Sequence, residues 1–551
     1  MSASRTRLGL ALSGGGFRAS LFHIGVLALL AERDILRSVE VISTVSGGSI
    51  IGALYYLHVK KLLEERPDKQ IVADNYVKIV KRIEGDFLQG VQKNLRLRAL
   101  GNLTKNLKML VEQKYSRSDR MAELYDEAFY DGIASELGKG PRIALPDLRI
   151  VPNGQVGEFH PSRLNTRRRA KVPILILNAT TLNTGHNWQF TAVGMGEWSL
   201  EDTGEFDADL HLKWLTYDQP KAEKYRRVPL SVAVAASACV PGVFQPLPLT
   251  KLYNNLTPRL VDGGVQDNQG LSSILYENCT DVIVSDASGQ MEDKGNPSGI
   301  LPFVVLRSNS IFQNRVRDLG FGLLKCKVPE NKRMIFHLKD GLQPTSLEHD
   351  GVFKEDAVGE PRKLSYNIDE RVQRMLSSVR TDLDSFTEVE AYSLMYSGYS
   401  QAASKTKRPA QRRSKTPPAT SGADWRFMGI RELAAEPSES YLAQLKAAQG
   451  LVYKPFFLVP FGIPMLIMLM TVSTALFVWA SICVCTFVLG LLPSIEYTLM
   501  DTVIKIFISG IVVLLLVVLA TPLVCWFNVY VVNPWFLRLG SIERLKRNAG
   551  R

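Results

Sequence analysis

Two apolar runs near the C-terminus restrict this 551-residue chain more than any other feature. One extends from about Phe456 to Leu492, punctuated early by Pro460 and Pro464, and the other from about Val503 to Val532. A helix needs about 20 predominantly apolar residues to cross bilayer hydrocarbon, and each run is long enough. A buried core helix is shorter, so the runs predict two membrane-spanning helices within residues 456–533. Lys and Arg beside spans stay on the cytoplasmic side. Lys405, Lys407, Arg408, Arg412, Arg413, Lys415, Lys446 and Lys454 precede the first run, and Arg538, Arg544, Lys546, Arg547 and Arg551 follow the second. The connection 493–501 holds Glu496 and Asp501 and no basic residue. The expected topology is therefore multi-pass, with two spans and both termini cytoplasmic. Lys505, early in the second run, would snorkel to the outer interface. A hairpin that enters and leaves one leaflet is the competing arrangement.

The formal net charge of +12 fits a nucleic-acid partner or an anionic membrane surface. The apolar runs favour the membrane and argue against nucleic acid. Cys239, Cys279, Cys326, Cys483, Cys485 and Cys525 lack the spacing of a zinc site or a disulfide framework and read as reduced thiols. Arg5 and Arg7 mimic the start of a signal peptide, but only Leu8 to Leu12 follow before three glycines, so the run reads as a first strand.

The rest of the chain alternates strand and helix. Leu8–Leu12 is a short apolar strand, Ser13–Gly16 a turn, and residues 17–32 a helix. A β-branched strand follows at 39–45, then Gly47-Gly48 and a helix over 49–64. This order predicts a parallel α/β sheet. Between Asp86 and Glu112 there is no acidic residue, while Lys93, Arg96, Arg98, Lys105 and Lys108 accompany Leu103, Leu107 and Leu110 at helical spacing. This basic insertion is expected either to dock on anionic membrane or to pack on the domain as a solvated helix. Arg163, Arg167, Arg168, Arg169 and Lys171 precede a strand at 173–178, and further strands are expected at 259–261, 281–285 and 334–338. Residues 367–400 read as helix. Residues 404–422, with Pro409, Pro417 and Pro418, read as a disordered linker. A short helix would start at Ser438 and stop at Gly450, with Leu442, Leu445 and Ala448 on its apolar face. The expected division is an α/β domain over 1–400 with the basic insertion at about 86–112, and a linker over 401–425. An amphipathic juxtamembrane helix over 426–455, two spans over 456–533 and a basic tail over 534–551 complete it.

Three short motifs carry chemistry. Thr44-Val45-Ser46-Gly47-Gly48 places a serine between a strand and a helix, as in a nucleophile elbow. The usual pattern is Gly-x-Ser-x-Gly. Here Thr44 takes the first position, where a β-branched residue keeps extended backbone, and Gly48 completes the motif. Ser13-Gly14-Gly15-Gly16-Phe17-Arg18 can aim backbone N–H groups at a developing oxyanion, with Arg18 holding the loop or facing an anionic headgroup. It lacks the lysine and spacing of a nucleotide-phosphate loop. Val261-Asp262-Gly263-Gly264 supplies an aspartate at a strand end. Its ordinary pKa of ~3.9 would rise in a water-poor pocket and make it a better base. A serine triad would need a later histidine, and His337 and His349, the two that follow Asp262, lie in no glycine-bordered turn. His23 reads as a packing residue of the first helix, and His186, after a Thr-Gly turn, has no role.

Taken in order, these pieces resemble the patatin-like phospholipase family. Ala235-Ala236-Ser237-Ala238-Cys239-Val240-Pro241-Gly242-Val243-Phe244 resembles its small-residue segment before the acid. Asn178-Ala179-Thr180-Thr181-Leu182-Asn183-Thr184-Gly185 resembles the strand-to-loop stretch upstream. The match spans about residues 8–290 and weakens toward 400. The resemblance implies a three-layer α/β/α domain with a mainly parallel sheet. It also implies a Ser46–Asp262 dyad and an oxyanion hole of Gly14, Gly15 and Gly16, with Arg18, Gly48, Gly263 and Gly264 in support. No metal or cofactor is implied. The reaction would be hydrolysis of a lipid carboxylic ester, foremost in glycerophospholipid. A lysophospholipase or neutral-lipid esterase is the near alternative, and a catalytically silent membrane scaffold the distant one.

Overall fold

The computed structural model describes residues 5–112, 115–197, 210–219, 223, 225–288, 291, 293–343, 349, 362–406, 424–450, 454–459, 461–490, 507–509 and 520–549. Ten strands among them join one sheet: β1 (Leu8–Leu12), β2 (Val39–Val45), β3 (Ile174–Thr181), β4 (Asn187–Phe190), β5 (Gly194–Glu197), β6 (Leu215–Thr216), β7 (Leu247–Pro248), β8 (Arg259–Asp262), β9 (Asp281–Asp286) and β10 (Arg333–His337). Strands β10-β9-β1-β2-β3 run parallel. From β3 onward every pairing is antiparallel: β3 with β4 and β8, β4 with β5, β5 with β6, and β7 with β8. The sheet is therefore mixed, which corrects the mainly parallel expectation. The turns after β3 and β4 are too short for a crossover and leave only hairpin pairing.

The register on β3 positions the site. Val45 at the end of β2 pairs with Asn178, and Asp262 at the end of β8 pairs with Ala179, the next residue along β3. Strand β4 overlaps both partners in register and so occupies the opposite edge of β3. Strands β2 and β8 thus approach each other end to end along one edge, and their last residues meet.

Side chains alternate between two cores, as the pleat requires. Leu10, Leu12 and Ile42 enter the larger core with helices α1 (Gly16–Glu32), α2 (Gly47–Glu65) and α3 (Ala73–Gln92). Ala11, Val41, Ile176 and Val284 face a smaller core closed by Ile274 and Leu324. Helices therefore flank both faces of the sheet.

Three regions differ from the expectation. The predicted helix over 367–400 is two helices, Glu370–Ser377 and Glu388–Lys405, because Thr387 and Glu390 form a capping box that starts the second anew. Helix Leu301–Lys327 has no counterpart in the sequence reading; Pro302 sits in its first turn, and Leu324 is its one buried residue. Residues 424–450 pack onto the domain, where buried Trp425 stacks on Phe427 at 5.8 Å and its Nε1 donates to Glu32 at 2.7 Å. Ser438 caps helix Glu439–Ala447, whose Leu442 and Leu445 are buried; the helix ends before Gly450. The basic insertion forms the end of α3 and short helices Leu95–Leu100 and Leu103–Val111. Leu95 and Ala99 are buried, Leu103 and Leu107 are exposed, and Arg96 and Lys105 pair with Asp382 and Glu123.

Among the described residues one helix is long and apolar enough to cross a membrane, Gly462–Val484, with a mean hydropathy of 2.1. The linker residues 407–423, the connection 493–501 and most of the second apolar run lie outside the described residues. Beyond that run, helices Asn533–Leu539 and Ile542–Ala549 return to the domain; Phe536, Leu539 and Leu545 are buried, and Val389 N–H donates to Gly540 O at 3.1 Å.

Candidate active site

Ser46 lies between β2 and α2 with φ 49° and ψ −119°, a left-handed conformation that costs a non-glycine residue strain. The surroundings hold it there. Its N–H donates to Ser237 Oγ at 3.0 Å, and its carbonyl accepts Ser49 N–H at 2.8 Å. Ser237 Oγ donates to Asn178 O at 2.6 Å and meets Ser49 Oγ at 2.8 Å. Ser49 Oγ in turn lies 2.9 Å from Thr44 Oγ1. All four side chains are buried, so this hydroxyl relay replaces water around the strained turn. Thr44, the departure from the usual elbow, is accommodated one helical turn on. A Cβ on Gly52 would stand 2.5 Å from Thr44 Cγ2, so Gly52 provides the room that the missing elbow glycine would have given.

Asp262 is buried at the end of β8. Its carboxylate accepts Gly264 N–H at 2.7 Å and lies beside the Ser46 hydroxyl. Burial pushes its pKa up to about 6 against the pull of these two groups. Asp262 N–H donates to Cys239 O at 2.9 Å and Gly263 N–H to Ser237 O at 3.2 Å. The Ala-Ala-Ser-Ala segment thereby braces both Ser46 and Asp262.

The glycine turn crosses above Ser46: a Cβ on Gly14 would lie 3.2 Å from Ser46 Cβ. Gly15 (φ 131°) and Gly16 (φ 58°) adopt backbone that other residues rarely enter. Gly14 N–H is engaged by Asn268 O at 2.9 Å, whereas the Gly15 and Gly16 amides have no acceptor among the described residues. Helices α1 and α2 both start here, so two helix N-termini, each partially positive, converge beside Ser46. Gly48 and Gly263 are packed against the Leu12 and Asn178 carbonyls too closely for a side chain.

Arg18 is buried and faces no headgroup. Its guanidinium donates to Ala287 O at 3.0 Å, Ser377 O at 3.2 Å and Val379 O at 2.6 Å. Phe17 N–H donates to Asp382 O at 3.0 Å. The glycine turn is thus fastened to the loop 378–387, a partner that the sequence reading missed. His23, read as packing, is fully buried, with Nε2 donating to Ser13 O at 3.0 Å and Nδ1 accepting from Ser285 Oγ at 2.7 Å. Burial lowers its pKa to about 4, so it stays neutral and ties β1 to β9 beneath the turn. His337 ends β10, which β9 and β1 separate from β2, and His349 is exposed. Neither is among the groups that act on the Asp262 carboxyl. Sequence reasoning also missed Ser237, Asn178 and Asn268, because each acts on a partner distant in the chain.

Among solved structures, the chain is similar to human GIVD cytosolic phospholipase A2 in complex with methyl gamma-linolenyl fluorophosphonate and terbium chloride. The identity is 11%, over 73% of this chain and 58% of that chain, with a TM-score of 0.36. It is also similar to VipD from Legionella pneumophila, at 14% identity over 48% of this chain and 46% of that one, with a TM-score of 0.21. The chain thus spans little more than half the length of the phospholipase it matches. No curated protein matches the sequence significantly. Residues 10–274 match the family model described as patatin-like phospholipase. That span contains Ser46, Asp262 and the glycine turn, so the chain carries a patatin-like phospholipase domain over residues 10–274.

Proposed function

We propose that this chain is a membrane-anchored serine hydrolase that cleaves carboxylic esters of membrane lipids, glycerophospholipids foremost, through an acyl-enzyme on Ser46. The observation that carries the reading is the strained Ser46 at the end of β2, set by the β3 register beside the buried Asp262 carboxylate at the end of β8. Asp262 takes the hydroxyl proton as Ser46 Oγ attacks the ester carbonyl. The oxyanion is received by the Gly15 and Gly16 amides, since the Gly14 amide is already engaged, and by the two helix N-termini. Collapse expels the alcohol part of the lipid, which leaves with the proton from Asp262. The same carboxylate then takes a proton from water, the hydroxide attacks the acyl carbonyl, and the fatty acid departs as Ser46 regains its proton. No step requires a metal or cofactor.

Membrane attachment is supported from two sides. Helix Gly462–Val484 is long and apolar enough to span, and the chain on each side of the apolar region packs on the same domain. Lys454 Nζ lies 2.6 Å from Asp384, Phe456 packs on Trp535 at 5.6 Å, and Asn533 Nδ2 donates to Gln92 O at 2.9 Å. A chain that leaves and returns on one side crosses an even number of times or enters and leaves one leaflet. Both flanks, and with them the catalytic domain and the termini, then share the cytoplasmic side that the basic residues favour. Helix Leu301–Lys327 adds a docking face: Phe303, Leu306, Phe312 and Leu319 are each more than half exposed, alongside Arg307, Arg315 and Lys325. Exposed apolar residues mixed with basic ones suit an anionic interface. The helix borders a cavity of about 350 Å³ beside Asn268 and Gln269, next to the glycine turn. The basic insertion offers a smaller face through Leu103 and Leu107.

The test is product analysis by mass spectrometry after the full chain, purified in detergent, meets anionic phospholipid vesicles, lysophospholipid and triacylglycerol in parallel. Fatty acid released from diacyl phospholipid by wild type and not by Ser46→Ala supports the proposal. Release from lysophospholipid or triacylglycerol alone would favour the esterase alternatives, and release from none would favour the silent scaffold.

A further inference from the structure

Away from the dyad, three side chains with metal-binding chemistry converge among the described residues. His186 follows the turn after β3, Glu197 ends β5, and His211 lies on the segment leading into β6. Nδ1 of His186 is 3.3 Å, and Nδ1 of His211 3.9 Å, from Glu197 Oε2. All three donor atoms lie within 4.8 Å of one another. Ligands about 2.0–2.2 Å from a tetrahedral zinc ion stand roughly 3.3–3.5 Å apart, so the set is near ligating distance before any ion enters.

The carboxylate is built to be held still. Glu197 is fully buried. Its Oε1 accepts the hydroxyls of Thr181, at 2.8 Å, and Thr184, and its Oε2 accepts Leu212 N–H at 2.7 Å. These bonds leave a lone pair on Oε2, the oxygen nearest both imidazoles. Outer hydrogen bonds of this kind orient metal ligands. A carboxylate this deep needs a compensating positive charge, and among the described residues no Lys or Arg pairs with it. The two imidazoles stack, with ring centres 4.1 Å apart and planes 13° apart. One divalent ion would neutralise the carboxylate and take a nitrogen from each imidazole.

We propose that His186, Glu197 and His211 bind a divalent transition-metal ion of the zinc class, with a fourth position open to water. The donor atoms lie up to 4.8 Å apart, wider than the ligands of a tetrahedral ion, so binding swings one ring toward the other donors. The imidazoles are 24% and 27% exposed, which gives that ring room and the ion a path. The site is a clamp and takes no part in the chemical steps. Thr181 lies three residues beyond Asn178 on β3, about 10 Å at the rise of a strand. Thr180, between them, donates to Asp262 O at 3.0 Å. An ion here would knot the β3–β4 turn, β5 and the strand that registers Asp262.

The test uses the full chain in detergent, stripped by chelator, then equilibrated with Zn(II) and freed of excess. Elemental analysis should find one ion per chain in wild type and at least tenfold less in His186→Ala and in His211→Ala. Co(II) in place of Zn(II) should give wild type a visible absorption band that both variants lack. Thermal unfolding separates metal loss from misfolding: in chelator the variants should unfold where wild type does, and Zn(II) should raise the unfolding temperature by several degrees in wild type alone. Absence of a stoichiometric ion in wild type would overturn the proposal. So would equal binding or equal stabilisation in both variants.

Discussion

Asp262 and Asp384 are both buried, yet their carboxyls shift in opposite directions. Burial pushes Asp262 up to about 6, and only a hydroxyl and an amide oppose it. Burial would also push Asp384 up, but Arg380 and Lys454 beside it hold it below the usual carboxylate range. Around Asp384 the loop 378–387 is a charged knot. Arg380 bonds Asp384 at 2.9 Å and Glu390 at 2.6 Å, and stacks on Phe386 at 4.1 Å, while Lys454 reaches in from the root of the apolar helix. The catalytic end of the sheet is braced instead by Ser237, Ser49, Thr44 and Asn178. The difference is chemical. A cation beside Asp262 would lower its pKa and weaken it as a base, so strained backbone there is held by neutral groups. Charges are concentrated where the apolar helix joins the domain. The two regions still touch, because Phe17 and Arg18 bond the backbone of the charged loop.

The comparison breaks most readily at the dyad. Ser46→Ala and Asp262→Asn should each lower kcat/KM for ester hydrolysis on the order of 10⁴-fold, and the double variant should be no worse, because the pair acts as a unit. His337→Ala should stay within a few-fold of wild type. Steady-state kinetics on a soluble short-chain ester checks both. In the charged region, Asp384→Ala leaves Arg380 and Lys454 buried without their partner. It should cost about 3–5 kcal/mol of stability, read by denaturant unfolding in detergent; a loss below about 1 kcal/mol would mean that the knot is solvated.

The opposite shifts also predict opposite pH responses. Asp262 must be ionised to act, so hydrolysis should fall about tenfold per pH unit below about 6. Its folded pKa exceeds the unfolded ~3.9, so its contribution to stability is fully present below that value and lost as pH rises through about 6. Asp384, lowered, contributes stability above ~3.9 that is lost as pH falls through its folded pKa. Titrating the unfolding of Asp262→Asn and Asp384→Asn against wild type separates the two slopes. The smallest effect belongs to the relay. Ser237→Ala removes the acceptor of Ser46 N–H and should cost about 1–2 kcal/mol, divided between stability and kcat. A change confined to KM would show that Ser237 does not hold the elbow.

Much of the candidate site's local structure was legible because its signals are local. A strand, three glycines and a helix, or a strand ending in Asp-Gly-Gly, announce their geometry within a few residues. The remainder depends on partners far apart in sequence. Nothing in Ala-Ala-Ser-Ala shows that Ser237 will receive the Ser46 amide, and nothing near Thr44 shows that Gly52 makes room for it. The antiparallel half of the sheet escaped because β4, β5 and β6 are four residues or shorter. Helix Leu301–Lys327 escaped because its apolar residues face outward and follow no buried stripe. The packing of 424–450 and 533–549 on the domain escaped, the first read mainly as a juxtamembrane helix and the second mainly as the end of a span and a basic tail, because Trp425 and Leu545, which anchor them, stand among charged residues.

The central claim, that a buried aspartate alone serves Ser46 as base, is tested most directly by the rate at which a fluorophosphonate captures the serine as pH varies. Digestion and mass spectrometry should find the adduct on Ser46. Its rate of formation should rise to a plateau with a midpoint near pH 6 and collapse in Asp262→Asn. An adduct on another serine, or an undiminished rate in Asp262→Asn, would contradict the account.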